Sequence, residues 1–440
     1  CLLPTASFSL PIMLRYFLRK SAYGILVLFG VVTVVFFLFN LAPGDPVRNL
    51  AGESASEETL MNMRRKLDLD LPIGQRYLLY INDLSPLSLH NPAIKYSRIY
   101  LDDEKYSYFR IITPTENRTF VMKWPYFKRS FLSERNVSSI LAEVIPGTVV
   151  LAVVSITLAM IIGLLLGVMA AMRKDTAFDR MVLVFSAIGM AGPSFFVAII
   201  VAWIGAILWR EQISLPVFPI LFLSLYFIIR AIPTPIAIRT KVQSRWLTGL
   251  NFRFTAGILA LWLIAEIFFP PVPFITSRIH LPGTGLNMTG SLYSVDVYRG
   301  SYLDLRNMIL PVITLMIRPL AVIVQLTRAS LMDVMQQDFI RTARAKGLNE
   351  REVMWRHALR NALNPVVTAV SGWFASLLAG AVFVEFVFGW KGLGQEMFNA
   401  IEKQDLPVVM GGVIVIASVF VFINILVDFI YGWIDPRVRV

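Results

Sequence analysis

Eight long apolar stretches constrain this chain more than any other feature of its sequence. Each offers roughly 20 mostly uncharged residues, the length that a helix needs to cross the hydrocarbon core of a bilayer. Of the 440 residues, 56% are hydrophobic and 16% are charged. The sequence therefore predicts an all-α polytopic membrane protein and excludes a soluble, a disordered or a fibrous chain. The predicted spans are 21–41, 148–171, 181–208, 215–232, 254–272, 308–327, 366–388 and 408–433.

The positions of Lys and Arg predict which side of the membrane each loop occupies. With a cytoplasmic N-terminus, the inside segments carry 20 of these residues and the three short outside loops carry six. This bias places both termini in the cytoplasm. Spans 215–232 and 254–272 are the weakest, and we keep them as a hairpin because the segment 229–253 contributes five of the inside basic residues. The net charge of +12 then reflects topology and lipid headgroups, and it does not indicate a nucleic-acid partner.

This topology predicts four parts of the chain. Residues 1–12 are expected to be an N-terminal extension, because Met13 begins a basic segment directly before the first span, 13–41; a lipid-modified Cys1 is the alternative. Residues 42–147 form an external region, and 148–440 form the transmembrane domain with the inserted hairpin 215–272 and a cytoplasmic loop, 329–365.

The external region has the pattern of a small α/β insertion. Residues 55–66 are typical of an amphipathic helix with Ser54 or Ser56 as the N-cap, and 94–131 are typical of short strands. The region carries 14 basic and 13 acidic residues, and long external segments do not follow the positive-inside bias.

The cytoplasmic loop 329–365 carries the strongest functional signal. Residues 333–346 favour a helix, and Gly347 followed by Asn349 fits a left-handed helix end. A second helix is expected from about Asn349 to Leu363, just before Pro365. Two helices joined at a glycine would project from the membrane as a knob for another protein. From residue chemistry alone, a basic amphipathic loop lying on lipid is the alternative.

This loop resembles the "EAA" loop of the permeases of binding-protein-dependent ABC importers, in the form of the dipeptide, oligopeptide and nickel subfamily. Arg341-Thr342-Ala343 stand in place of Glu-Ala-Ala, a departure that is usual in the peptide members. Other segments resemble the same family in the same order along the chain. They are 41–46, 140–148, 192–196, 385–394, 400–409 and 428–437.

The resemblance implies a passive pore-forming subunit in the inner membrane, with six core transmembrane helices and, in this chain, the extra hairpin and the external insertion. It implies a second permease, two cytoplasmic ATPases that bind ATP and Mg, and an external binding protein that delivers di- or oligopeptides. The chain itself is expected to be no enzyme and to bind no cofactor or metal, since it has no Gly-x-x-x-x-Gly-Lys-Ser/Thr phosphate loop. By the same resemblance, five loop residues contact the ATPase or shape the elbow: Arg341, Ala343, Ala345, Gly347 and Leu348.

Three polar or helix-breaking residues are candidates for the translocation path or its gate. Arg318 falls in the middle of the span 308–327, where a charge is expensive; the alternative is a structural bond to carbonyls freed by Pro319. Pro193 should break the third span, either beside a cavity or as a packing kink. Glu385 lies near a span end, where a salt bridge is the alternative role.

Other functions remain as alternatives. Nickel or another small solute is the alternative within the family, although no histidine falls inside a predicted span. A self-contained secondary transporter would show internal repeats and midplane carboxylates, which we do not find. A membrane-embedded enzyme would need a convergent set of nucleophile, base or metal residues, which the sequence does not offer.

Overall fold

The computed structural model describes residues 10–41, 47–48, 56–94, 97–102, 105–115, 118–211, 213–216, 278–296, 298 and 300–434. Helices dominate this part of the chain, as the composition predicts. The hairpin 215–272 lies outside the described residues except for its first two positions, and so do residues 1–9 and 435–440. The chain divides into two compact units, residues 1–158, 290–304 and 367–440 in the first and 159–289 and 305–366 in the second.

The first unit combines long apolar helices with a small sheet. Its elements are α1 (Leu10–Leu41), α2 (Glu57–Lys66), α3 (Ile73–Leu84), β1 (Leu87–His90), β2 (Tyr108–Thr115), β3 (Arg118–Lys123), the first part of α4 (Val137–Met172), and, further along the chain, β6 (Tyr293–Asp296), β7 (Gly300–Leu303), the end of α10 (Leu359–Gly380), α11 (Val382–Val387), α12 (Leu393–Glu402) and α13 (Leu406–Ile434).

The second unit is a helical bundle. Its elements are the end of α4, α5 (Ala177–Ala191), α6 (Ser194–Ala202), β4 (Ile213–Pro216), β5 (Arg278–Leu281), α7 (Arg306–Met335), α8 (Asp338–Ala345), α9 (Glu350–Glu352) and the start of α10. Two segments are wound as π-helix, Trp203–Leu208 after α6 and Val353–Ala358 between α9 and α10. In this unit α7 packs against α5 and α6.

Four described helices are long and apolar enough to cross a membrane. They are Leu18–Asn40, Val137–Met172, Arg306–Met335 and Leu406–Val427, and a fifth span is counted if α5 and α6 with its π-helical end are taken together. These helices correspond to five of the predicted spans. The predicted span 366–388 is occupied by the end of α10 and by α11, which are not among the four helices.

Several predicted boundaries are wrong. The predicted helix 333–346 is two helices, α7 and α8, separated by Gln336 and Gln337. The helix expected to end near Leu363 continues through Pro365 to Gly380. Proline is tolerated inside a membrane helix where neighbouring groups satisfy the freed backbone, so Pro365 is a poor stop signal here.

In its described residues, the region 42–147, which is predicted to be external, contains the predicted helix and sheet. Ser56 caps α2, since its side chain accepts a hydrogen bond from the Thr59 N–H at 3.2 Å. The strands form an antiparallel sheet in the order β1-β3-β2, with the first strand slightly earlier than predicted. Along β3 the outward side chains include Phe120 and Met122, whereas Lys123 is buried. The sheet therefore presents apolar side chains outward, and its covered side combines polar residues such as Lys123 with the fully buried Val121.

Candidate functional site

The elbow between α8 and α9 turns at a glycine in the left-handed conformation. Gly347 has φ of +79° and donates its N–H to the Arg344 carbonyl at 2.9 Å, and the Leu348 N–H reaches the Ala343 carbonyl at 3.4 Å. These two bonds are the pattern of a Schellman helix end, which favours glycine because it lacks a Cβ. The predicted left-handed cap is therefore present.

The second arm of the elbow starts at a side-chain cap. The Asn349 side-chain oxygen accepts the Glu352 N–H at 2.8 Å. Across the turn, Arg344 makes a two-pronged ion pair with Glu350, from Nε to Oε1 at 2.8 Å and from the terminal nitrogen to Oε2 at 3.0 Å. The exposed ion pair adds little energy, but it joins the two arms.

The inner face of the elbow packs on the bundle through apolar side chains. Ile340 is fully buried and Ala343 is 5% exposed, so both point towards the bundle. Leu348 is partly buried against the same cluster. The buried cluster consists of Val168, Leu331, Ile340, Ala343, Val353, Met354, Ala358 and Ala362. The elbow therefore shares this core with the ends of α4 and α7 and packs directly against both helices.

The outer face carries the remaining residues that the sequence singled out. Arg341, Ala345 and Gly347 are exposed. The structure thus separates the five loop residues into three on the outer face and two, Ala343 and Leu348, that pack inward.

Two aromatic residues on the elbow were missed by the sequence analysis. Phe339 is 43% exposed and Trp355 is 55% exposed. Exposed aromatic side chains are enriched at protein interfaces. Helical spacing could have placed Phe339 off the inward side that holds Ile340 and Ala343, but Trp355 lies within the π-helical segment Val353–Ala358, which no sequence pattern signalled.

Pro193 breaks the third span, as predicted. Helices α5 and α6 meet at Gly192 and Pro193 with a bend of 109°. Gly189, just before the bend, is close-packed, because an added Cβ would lie 3.2 Å from Ile317 of α7. Pro193 itself is exposed in this chain.

Arg318 lies on an exposed side of α7, beside the buried Pro319. Helix α7 runs unbroken through Pro311 and Pro319. The role of Arg318 on the translocation path stays a prediction, and so does the alternative, a structural bond to carbonyls beside Pro319.

Glu385 is buried and serves as a clamp. Its Oε1 accepts the Thr148 hydroxyl at 2.6 Å, and its Oε2 accepts the N–H groups of Gly394 at 2.6 Å and Gln395 at 3.2 Å. The Thr148 oxygen in turn accepts the Leu393 N–H at 2.8 Å. A carboxylate with no exposed surface and both oxygens engaged anchors the start of α12, and the path or gate role of Glu385 stays a prediction.

The described residues offer no metal site. Among them, no group of three or more His, Cys, Asp or Glu side chains lies close enough together to hold an ion.

Comparisons with known proteins place these features in a family. Residues 163–440 match the family model described as binding-protein-dependent transport system inner membrane component, and residues 13–87 match the corresponding N-terminal domain. A dipeptide transport system permease protein of Alkalihalophilus pseudofirmus is 28% identical over 427 residues, covering 97% of this chain and 100% of its own length. A di/tripeptide transport system permease protein of Pseudomonas aeruginosa is 30% identical over 429 residues, covering 97% and 99%. A dipeptide transport system permease protein of Escherichia coli is 29% identical over 430 residues, with the same coverage.

The family match covers the elbow, the broken third span and Glu385 with its partners Gly394 and Gln395, together with most of the described spans. The N-terminal match covers the first span and α2 and α3. The chain belongs to the binding-protein-dependent transport system inner membrane component family, and is a multi-pass permease of that family.

Proposed function

We propose that this chain is the permease subunit of an ATP-driven importer for di- or oligopeptides. An external binding protein delivers the peptide, and a separate ATPase drives the movement through the elbow at Gly347. ATP and Mg are bound by that ATPase. The relatives support the peptide as substrate, since those compared above are named as dipeptide or di/tripeptide permeases.

The observation that carries the proposal is the two-sided elbow. Its inner face belongs to the core of the bundle, whereas its outer face presents Arg341, Ala345 and two aromatic side chains. A segment that is anchored on one side and apolar and basic on the other is suited to transmit force from a partner.

We further propose an assembly of two permeases and two ATPases, with six core spans in this chain and the hairpin 215–272 as an addition. The positive-inside distribution supports cytoplasmic termini, which puts the elbow on the side where ATP is available.

The test is uptake of a labelled dipeptide by cells that express the complete transporter with Gly347→Asp. We expect uptake to fall to background while the protein remains in the membrane. The new side chain strains the left-handed turn and adds a charge on the outer face of the elbow. No atom of the described residues lies within 4 Å of an added Cβ, so the loss would not come from a clash with them.

The matched control is Gly74→Asp in the first turn of α3, where an added Cβ also meets nothing within 4 Å. Aspartate is favourable at a helix start, so uptake should stay normal. Normal uptake by Gly347→Asp would refute the coupling role. Competition by unlabelled Ni²⁺ instead of unlabelled peptide would refute the substrate class.

A further inference from the structure

Asp179 and Arg328 form a buried ion pair inside the second unit. Arg328 Nε lies 2.5 Å from Asp179 Oδ1, and its terminal nitrogen donates to Oδ2 at 2.7 Å. The Asp179 side chain is 2% exposed and the Arg328 side chain is 18% exposed. Two parallel bonds of this kind fix the relative orientation of the partners as well as their distance.

The pair joins the start of the third span to the helix that carries the elbow. Asp179 lies in the first turn of α5, where the Thr176 oxygen caps the helix and the Asp175 N–H also donates to Asp179 Oδ2 at 3.0 Å. Arg328 lies near the end of α7, and after Gln336 and Gln337 the chain enters α8. A carboxylate held from both sides leaves α5 little freedom to slide along α7.

The neighbouring contacts make this end of the bundle rigid. An added Cβ at Gly167 of α4 would lie 2.6 Å from the Cβ of Thr327, the residue before Arg328. Leu331, one turn further along α7, belongs to the core that supports the elbow. The ion pair therefore lies next to the elbow core and at the start of a helix that bends 109° further along, at Gly192 and Pro193.

We propose that the Asp179–Arg328 pair carries movement of the elbow to the third span, and that both are positioning residues for transport. The inference rests on the proposed function, since it requires an ATPase that moves the elbow. When α8 moves, the end of α7 moves with it. The ion pair then moves α5, and the angle between α5 and α6 changes.

The experiment measures peptide transported per ATP hydrolysed in proteoliposomes that contain the complete transporter. Asp179→Asn keeps the size of the side chain but removes its charge, and Arg328→Lys keeps the charge but loses the two-pronged geometry. We expect each to lower the transport ratio by about 2- to 30-fold, the range for residues that lie between coupled sites, while basal ATP hydrolysis continues.

The double variant Asp179→Arg with Arg328→Asp should recover part of the ratio lost by the single variants, because it restores an opposite-charge pair. The control is Arg180→Gln, which removes the exposed charge adjacent to Asp179 and should leave the ratio unchanged. If Asp179→Asn does not assemble, Arg328→Lys decides the question.

An unchanged ratio in assembled Arg328→Lys would overturn the inference, as would a fall in transport that only follows the amount of assembled complex. Failure of the proposed function has a different signature: Gly347→Asp would then transport as well as the unchanged protein. A transporter that responds to Gly347→Asp but not to the ion-pair variants would refute this inference alone.

Discussion

At the scale of single residues, the buried carboxylates act as clamps between distant segments. Asp405, 3% exposed, accepts the Ser130 hydroxyl at 2.5 Å and the Phe131 N–H at 3.0 Å, and Glu385 holds the start of α12. A buried charge is tolerated only when such partners satisfy it. In the described part of the chain, the contacts of Asp405 and Glu385 are therefore those of structural residues.

Substituting Glu385 should lower stability more than it changes substrate handling. Glutamine has one acceptor oxygen in place of two, so Glu385→Gln keeps the bonds from the Gly394 and Gln395 N–H groups but leaves the buried Thr148 O–H without its acceptor, at about 1–3 kcal/mol. The free energy of unfolding in a detergent titration should fall by that amount. The exposed Glu402 at the end of α12, the helix whose start Glu385 anchors, provides the control, and a loss of stability in Glu402→Gln of equal size would contradict the explanation.

Sequence reasoning reached some of these residues and not others, for a physical reason. Gly347 was predictable because a local rule, glycine at a left-handed helix end, needs only its neighbours. The role of Glu385 was not, because its partner Thr148 lies 237 residues away. Likewise nothing local to Asp179 points to Arg328, 149 residues further on.

At the scale of elements, the sheet β1-β3-β2 exposes several apolar side chains and covers polar ones beside the buried Val121. Its inner side holds Lys123, which donates to the Asp83 carbonyl and lies 4.8 Å from the Tyr106 ring. Tyr106 donates to the Asp83 carboxylate at 2.6 Å. Alternation of polar and apolar residues predicts a strand, but it does not say which face of the sheet is buried. A polar network can therefore occupy the buried face.

Burial of His90 in this sheet makes the sheet sensitive to acid. Burial, with the nearby Lys123 charge, lowers the pKa of His90 to about 4 from its usual 6.5. Between these values the unfolded region binds more protons than the folded one, so stability should fall as pH drops from 6.5 and be lowest below about 4.

Hydrogen-exchange protection of residues 87–123 at a series of pH values, corrected for intrinsic rates, measures this effect. His90→Gln removes the titrating ring and should flatten the dependence over that window. A profile that is equally steep without His90 would assign the sensitivity to other groups.

Glycines set how closely the long helices approach each other. At Gly167 an added Cβ would meet Thr327 Cβ at 2.6 Å and the Val324 carbonyl at 2.9 Å, whereas at Gly30 it would meet nothing within 4 Å. Gly167→Ala should therefore destabilise the protein by about 1–3 kcal/mol through overpacking. Gly30→Ala should be neutral or stabilise by up to about 1 kcal/mol. Melting temperatures in detergent compare the two, and equal shifts would contradict the packing argument.

Span positions were predictable, and their ends were less so. Hydropathy locates a transmembrane helix because the hydrocarbon core of the bilayer requires apolar residues. It gives no information on how far the helix continues outside that core. Thus α4 begins at Val137, eleven residues before the predicted span at 148, and α7 continues to Met335.

At the scale of the whole molecule, the topology gives a direct test. The chain contains one cysteine, Cys1, so a Cys1→Ser background allows single reporters. An impermeant maleimide added to intact cells should label Tyr298→Cys, whose parent side chain is 97% exposed, and should spare Lys346→Cys until the membrane is opened. Labelling of Lys346→Cys from outside would place the elbow on the wrong face and refute the proposed coupling.

The π-helical segment Val353–Ala358 changes the direction in which the side chains beyond it point. A π-turn takes in one more residue than an α-turn, so every position after Ala358 is rotated by about 100° from where an uninterrupted wheel would put it. A projection that starts at Glu350 and runs on to Gly380 therefore assigns the wrong neighbours to all of Leu359–Gly380. When residues of Leu359–Gly380 are chosen for mutagenesis, the faces of this helix should therefore be assigned with Leu359 as the first position.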